Sequence, residues 1–239
     1  MDQRRPTRAV CKSVETVVSA TQVTEAESKQ RVLLRFDRIE RTVHWVNASL
    51  FLILIVTGAA LYFTPLIALV GRRRLIEQIH LYVGLALPLP LLLGLAGSWG
   101  RRLRRDVRRI NRWSEEDMEW LRGLVDTTSG RRQAAVRPRL GKFNPGQKLN
   151  AAFVAGGGLV MLGTGALLRW YVPFPLSWRE GATFVHNWLA FAFVVVIAGH
   201  LTLALADRDA LRSMFGGRVS RAWAARHAPA WLDESAERK

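Results

Sequence analysis

The chain has five histidines in 239 residues, at positions 44, 80, 186, 200 and 227. Two of them bracket one apolar run, HNWLAFAFVVVIAGH, from His186 to His200. Imidazole hydrogen-bonds, ligates metals and titrates near neutrality. An unpartnered polar group at membrane depth costs roughly 2–7 kcal/mol, so histidines in such a run need partners. Fourteen residues of helix rise about 21 Å and complete almost four turns, so these two rings face nearly the same way, one above the other. The single cysteine, Cys11, excludes an internal disulfide and any Cys-rich iron–sulfur or zinc centre. A single imidazole of this kind can hydrogen-bond lipid, water or a neighbouring carbonyl, whereas several together point to ligation shared between helices.

The elements that must position these rings are four apolar stretches, roughly Val43–Phe63, His80–Trp99, Leu149–Tyr171 and Phe184–Ala206. Each is about 20 residues, the length that crosses a hydrocarbon core of roughly 30 Å as a helix. Helices satisfy their own backbone in lipid, so four spans is the economical reading. The chain is 49% hydrophobic yet carries a net charge of +16. That excess would point to nucleic acid in a soluble protein, but here the charge is segregated from the spans and no nucleic-acid partner is expected. Thirty of the 35 Lys and Arg fall in residues 1–42, 100–148 and 207–239, which share one side if there are four spans. The positive-inside rule then places both termini in the cytoplasm.

Depth follows from direction. His44 opens the first span near the cytoplasm, and His80 opens the returning second span near the outer face. In the fourth span His186 is outer and His200 inner. Two levels emerge, each with two histidines on different helices, which is the pattern of two bis-histidine haem sites stacked across a bilayer. Gly58, Gly84 and Gly199 leave room beside the rings. Zinc is disfavoured because each level offers two ligands and no Cys or carboxylate to complete a tetrahedron. Both axial positions of the iron would be filled, which favours electron transfer over oxygen binding. His227, in the polar tail, reads as solvated.

Residues 1–32 read as a polar, disordered cytoplasmic extension, residues 33–206 as the four-span unit, and 207–239 as a basic tail with a short helix ended by Pro229. The connection 100–148 is basic, and its segment 101–124 reads as one or two amphipathic surface helices, with Ser114 before Glu115, Glu116 and Asp117 as a helix start. Pro88 and Pro90 should kink the second span. Trp45, Trp99, Trp170, Trp178 and Trp188 lie near span ends, where indole prefers the interface. Arg72, Arg73 and Arg74 form a basic triplet in an outward loop, either suited to anionic headgroups or an acidic partner surface or simply a tolerated minority charge. No internal repeat is read.

The segments RFDRIERTVHW (35–45), GKFNPGQK (141–148), the His186/His200 pair and GRVSRAWAARHAPAW (217–231) resemble the cytochrome b (gamma) subunit of membrane-bound formate dehydrogenases. That family sits in a wider group that includes the cytochrome b of nickel–iron hydrogenases. The resemblance covers about residues 33–232. It implies an all-α integral membrane four-helix bundle holding two b haems, in the bacterial cytoplasmic (inner) membrane. It implies His44 and His200 as axial ligands of the inner, cytoplasmic-side haem, and His80 and His186 of the outer one. It also implies a quinone pocket, for menaquinone or ubiquinone, at Asn144, Gly146, Gln147 and His200. The partners implied are an iron–sulfur (beta) subunit and a molybdenum or tungsten catalytic (alpha) subunit that oxidises formate. The chain itself would transfer electrons and reduce quinone as part of a respiratory chain. The competing readings are a hydrogenase-type cytochrome b and, from another class, a haem-free membrane anchor.

Overall fold

A computed structural model describes residues 32–128 and 138–237. The expected disordered extension, apart from Val32, lies outside the described residues. The protein is mostly helical, and four of its helices are long and apolar enough to cross a membrane.

Strand β1 (Val32–Leu34) leads into α1 (Arg38–Tyr62), short α2 (Thr64–Val70), then α3 (Arg73–Ala86) and α4 (Leu89–Ala96). Leu87 and Pro88 interrupt the second span between α3 and α4, because proline lacks the N–H that a continuous helix needs. Surface helices α5 (Arg101–Ile110) and α6 (Glu115–Thr128) follow, then α7 (Pro145–Arg169) and α8 (Leu176–Ala206). The chain ends in α9 (Arg208–Gly216), β2 (Arg218–Ser220), α10 (Arg221–His227) and α11 (Pro229–Glu237).

Two long hairpins make the bundle, α1 packing on α3 and α7 on α8. The first helices of the two hairpins are copies in design. Each has 25 residues and opens with a capping box. Asp37 accepts from the Glu40 N–H at 2.9 Å while the Glu40 side chain accepts from the Asp37 N–H at 2.7 Å. Asn144 and Gln147 repeat this at 2.9 and 3.0 Å. With an offset of 107, Phe36, Asp37, Glu40, Thr57, Gly58, Ala59 and Leu61 fall on Phe143, Asn144, Gln147, Thr164, Gly165, Ala166 and Leu168. The bundle therefore contains an internal repeat, which corrects the sequence reading.

The apolar faces of these spans point outward. No more than 11% of the most apolar 18 residues of any span is buried within the protein, and Leu69, Leu159 and Leu203 are 85, 70 and 74% exposed. So much apolar surface on one protein needs lipid to cover it.

The buried core lies at one end of the bundle instead. There β1 and β2 form an antiparallel ribbon, Leu33 facing Val219, over Trp223, Ala224, Ala228 and Trp231. The chain is mostly helical, as expected, with one addition: a three-residue ribbon pairs Val32–Leu34 with Arg218–Ser220, and Val32, assigned to the extension, opens it. The turn before β2 needs Gly217, whose φ is +78° and whose added Cβ would lie 2.5 Å from the Phe36 carbonyl oxygen. That same glycine's carbonyl accepts from Arg35 N–H and Phe36 N–H at 2.8 and 3.0 Å. Two further expectations are sharpened. Helix α3 starts at Arg73, whose Nε donates to Glu77 at 2.8 Å, so the triplet is partly helical. His227 is exposed but stacked on Trp223 at 5.0 Å, since the α10 turn places residues four apart on one face.

Asp207 ties this end to the membrane bundle, following α8 and accepting from Ala210 N–H at 2.9 Å and Trp223 Nε1–H at 2.9 Å. Burial pushes its carboxyl up, but those hydrogen bonds and the charges of His227 and Arg35 outweigh it and hold the carboxyl below its usual 3.8. A carboxyl depressed by folding stabilises above its unfolded value, and that contribution is lost as pH falls through its folded value. Acid titration below about pH 4 is therefore expected to change Trp223 fluorescence, and Asp207→Asn to remove that acid step. An unchanged acid step in the variant would rule Asp207 out as its source.

Candidate functional site

The bundle brings four histidines together as two pairs from different helices. His44 of α1 and His200 of α8 face each other with ring centroids 6.4 Å apart and planes at 56°. His80 of α3 and His186 of α8 do the same at 6.3 Å and 66°. His44, His80 and His186 are half-buried, whereas His200 is exposed. The pairs lie at two levels: His44 is near the start of α1, and the His80 pair lies beside Thr57, thirteen residues further along that helix.

The separation is chemically informative. Two imidazoles binding one metal ion from opposite sides place each ring centre about 3.1–3.2 Å from it, given metal–nitrogen bonds of about 2.0–2.1 Å, so the centroids stand about 6.3 Å apart. Both pairs have this spacing. Among the described residues no cluster of three His, Cys, Asp or Glu could complete a zinc site. Two opposed nitrogens with no third ligand suit an ion whose other ligands come from a flat macrocycle, so the residues present fit axial ligation of haem.

The His80 level is built twice over. Thr57 Oγ1 lies 2.8 Å from His80 Nδ1, and Thr164 Oγ1 lies 2.9 Å from His186 Nδ1. The next residue in each helix is glycine, and an added Cβ on Gly58 or Gly165 would sit 3.4 Å from Cε1 of the same ring. Thr-Gly thus holds and admits the imidazole in both hairpins. Of the other glycines expected to make room, Gly84 faces Leu54 and Gly199 has open space within 4 Å.

Halfway between the levels, seven residues from each histidine of α8, Phe193 is 3% exposed. It contacts Phe51 and Phe153 at 5.3 and 4.9 Å. Gly157 lets it sit there, since a Cβ would approach its Cζ to 3.0 Å. These rings fill the bundle between the two levels with apolar matter.

Asn144, Gly146 and Gln147 stand together at the start of α7, at the same end as the His44–His200 pair. The capping box uses both amide oxygens, which leaves the two amide nitrogens as donors. Gly146 lies near Trp120, 3.7 Å from where its Cβ would be. Among the described residues no hydrogen bond or ring contact joins His200 to this loop.

Beneath the His44 pair lies a charge cluster that sequence reasoning missed. Lys142 Nζ binds Asp106 and stands 3.9 Å from Glu40 Oε1, all three side chains being 5–6% exposed. The ammonium also lies over the rings of Phe36 at 4.8 Å and Phe143 at 5.4 Å, the repeat-related pair. Burial pushes the Lys142 amine below its ordinary value against the pull of Asp106 and Glu40. A second buried pair, Lys148 with Asp117, holds α6 on α7. Nothing in local sequence signals these partners, whereas the repeated Thr-Gly could have been found by comparing the chain with itself.

Comparison with known proteins places the whole of this bundle within one family match. The model of the prokaryotic cytochrome b561 family matches residues 35–217. The chain is 24% identical to the nitrate-inducible formate dehydrogenase cytochrome b556(Fdn) subunit of Escherichia coli (strain K12), with 87% of this chain and 93% of that one covered. It is 27% identical to the cytochrome b556(fdo) subunit of formate dehydrogenase in the same organism, covering 86% and 94%. The formate dehydrogenase cytochrome b556 subunit of Haemophilus influenzae is 24% identical, covering 84% and 83%.

Proposed function

Since the chain belongs to the prokaryotic cytochrome b561 family, we propose that it is the di-haem membrane subunit of a formate:quinone oxidoreductase. It would carry electrons from an iron–sulfur subunit to quinone and anchor the complex in the bacterial cytoplasmic membrane. The observation that carries this reading is the double histidine clasp, two pairs with 6.4 and 6.3 Å between ring centres at two depths of one bundle. The matched relatives are formate dehydrogenase subunits, which favours formate over hydrogen as the electron source. Formate oxidation is assigned to a molybdenum or tungsten partner.

His80 and His186 would hold a haem at the outer level, and His44 and His200 one at the cytoplasmic level. When bound, these groups supply one-electron carriers at two depths of the bilayer. The chain does the rest. The described basic segments lie at the end that holds the ribbon, which supports a cytoplasmic position for that end and for both termini. Phe193, Phe51 and Phe153 exclude water between the levels. At the cytoplasmic end, Asn144 Nδ2 and Gln147 Nε2 are placed to donate to a quinone carbonyl as it gains negative charge, beside the positive end of the α7 dipole, with Gly146 admitting the ring. Each quinone accepts two electrons and takes up two protons, which enter from that side.

The decisive measurement is a reduced-minus-oxidised spectrum of the purified complex with haem quantified per chain. Two b haems are expected; a chain with none would be an anchor only. The quinone loop has its own test. Asn144→Asp keeps a capping oxygen, since Asp caps as well as Asn, but removes the amide donor. It is expected to preserve both haem signals and thermal stability while slowing quinone-dependent reoxidation by roughly tenfold, about the 1.4 kcal/mol of one hydrogen bond. Reoxidation at the wild-type rate would show that the loop is a helix cap and nothing more.

A further inference from the structure

The threonines at the His80–His186 level have their protons committed. Thr57 Oγ1 donates to the Ile53 carbonyl at 2.7 Å, and Thr164 Oγ1 donates to the Val160 carbonyl at 2.8 Å, each one turn back along its own helix. A hydroxyl has one hydrogen, so towards the imidazole each oxygen acts as acceptor. The proton of the shared hydrogen bond therefore belongs to Nδ1 of His80 and of His186. In that arrangement Nδ1 carries hydrogen, and Nε2 keeps the lone pair that a metal needs. Gly58 and Gly165 complete the hold by letting the ring edge approach the helix. The arrangement occurs once in each hairpin, at positions 107 residues apart in the repeat. Among the described residues neither His44 nor His200 has a hydroxyl or carbonyl on a ring nitrogen.

We propose that Thr57 and Thr164 are positioning residues that lock the outer imidazoles with Nε2 free and electron-rich, and so set the reduction potential of the outer haem below that of the inner one. This rests on the haem reading above. A hydrogen bond donated by the distal ring nitrogen makes an imidazole a more basic ligand. A more basic ligand favours the ferric over the ferrous state and lowers the potential, one of the protein's recognised levers on haem. With two such bonds at the outer level and, among the described residues, none at the inner, electrons entering from outside run downhill to the quinone end.

The test is a potentiometric titration of the whole complex, followed in the b-type absorbance, comparing wild type with Thr57→Val, Thr164→Val and the double variant. Valine keeps the shape and removes the acceptor. The double variant is expected to shift the outer haem's reduction equilibrium about tenfold towards the ferrous form, a rise of about 59 mV for one electron, with the inner haem unmoved. Thr57→Ser with Thr164→Ser keeps both oxygens and should return the wild-type potential. An outer potential unmoved in a fully loaded valine variant overturns the proposal. Where valine costs the haem itself, the serine pair decides: wild-type potential and content support the proposal, and loss or a shift there shows that the methyl groups matter and overturns it. Absence of any b-type spectrum in the wild type is a separate result that defeats the haem reading first.

Discussion

His80→Ala in the intact complex is expected to remove half of the b-type absorbance and to stop formate-dependent quinone reduction, while formate oxidation by a dye that accepts electrons before the membrane subunit continues. The imidazole has one partner across the bundle, His186 at 6.3 Å, and among the described residues no third ligand stands near to replace it. Losing an outer-shell partner costs roughly 10–100-fold in metal affinity or activity, and losing one of two axial ligands costs more. His200→Ala should give the complementary result, because His200 belongs to the other pair. The surviving half of the absorbance is then the outer haem, and the block falls after it. If His80→Ala and His200→Ala removed the same spectral component, the two-level assignment would be wrong. If either still reduced quinone from formate at the wild-type rate, the clasp would not lie on the electron path.

The spans were legible because lipid imposes a crude and local demand: about 20 apolar residues in a row. Their ends were less so. The second span was placed from His80, yet α3 begins at Arg73, since Arg73 and Glu77 pair along the helix surface and extend it beyond the apolar run. The proximity of His186 to His80 could be reached from helical period and span direction alone, both being properties of one segment at a time. What a single segment does not carry was missed. Val32–Leu34 has no period to announce a strand; it becomes one because Arg218–Ser220, 186 residues on, supplies its partner. Lys142 looks like one basic residue among many in a basic loop, and its burial depends on Asp106 and Glu40 from two other helices. Thr57 and Thr164 read as ordinary apolar-helix threonines until the histidines they touch are known. The repeat was present in the letters, but with seven identical or similar residues scattered over 26 positions it needs the two capping boxes to be recognised.

The buried cluster beneath His44 carries the second large effect. Lys142→Met keeps the length of the side chain and its packing on Phe36 and Phe143, but leaves Asp106 and Glu40 buried without their cation. Breaking a buried ion pair from one side costs about 3–5 kcal/mol, because the remaining charge has lost both water and partner. Glu40 Oε1 already has no hydrogen-bond partner, so little local rearrangement can absorb the loss. Arg109 would still bind Asp106 at 3.0 Å but is shared with Glu234, which limits what it can offset. The loss should also be directional. Glu40 caps α1 one turn below His44, and Asp106 lies in α5, so the cytoplasmic end should loosen while the His80–His186 end, some 20 Å away along α1, holds. Heating the Lys142→Met complex is therefore expected to release the His44–His200 haem before the outer one, several degrees below the wild-type transition. Adding Asp106→Asn to it should recover part of that loss, since the carboxylate that binds the ammonium is then replaced by a neutral amide. A single variant that melts with wild type, or a double variant that melts lower still, would mean that the cluster is held by its hydrogen bonds and packing and not by the charge of Lys142.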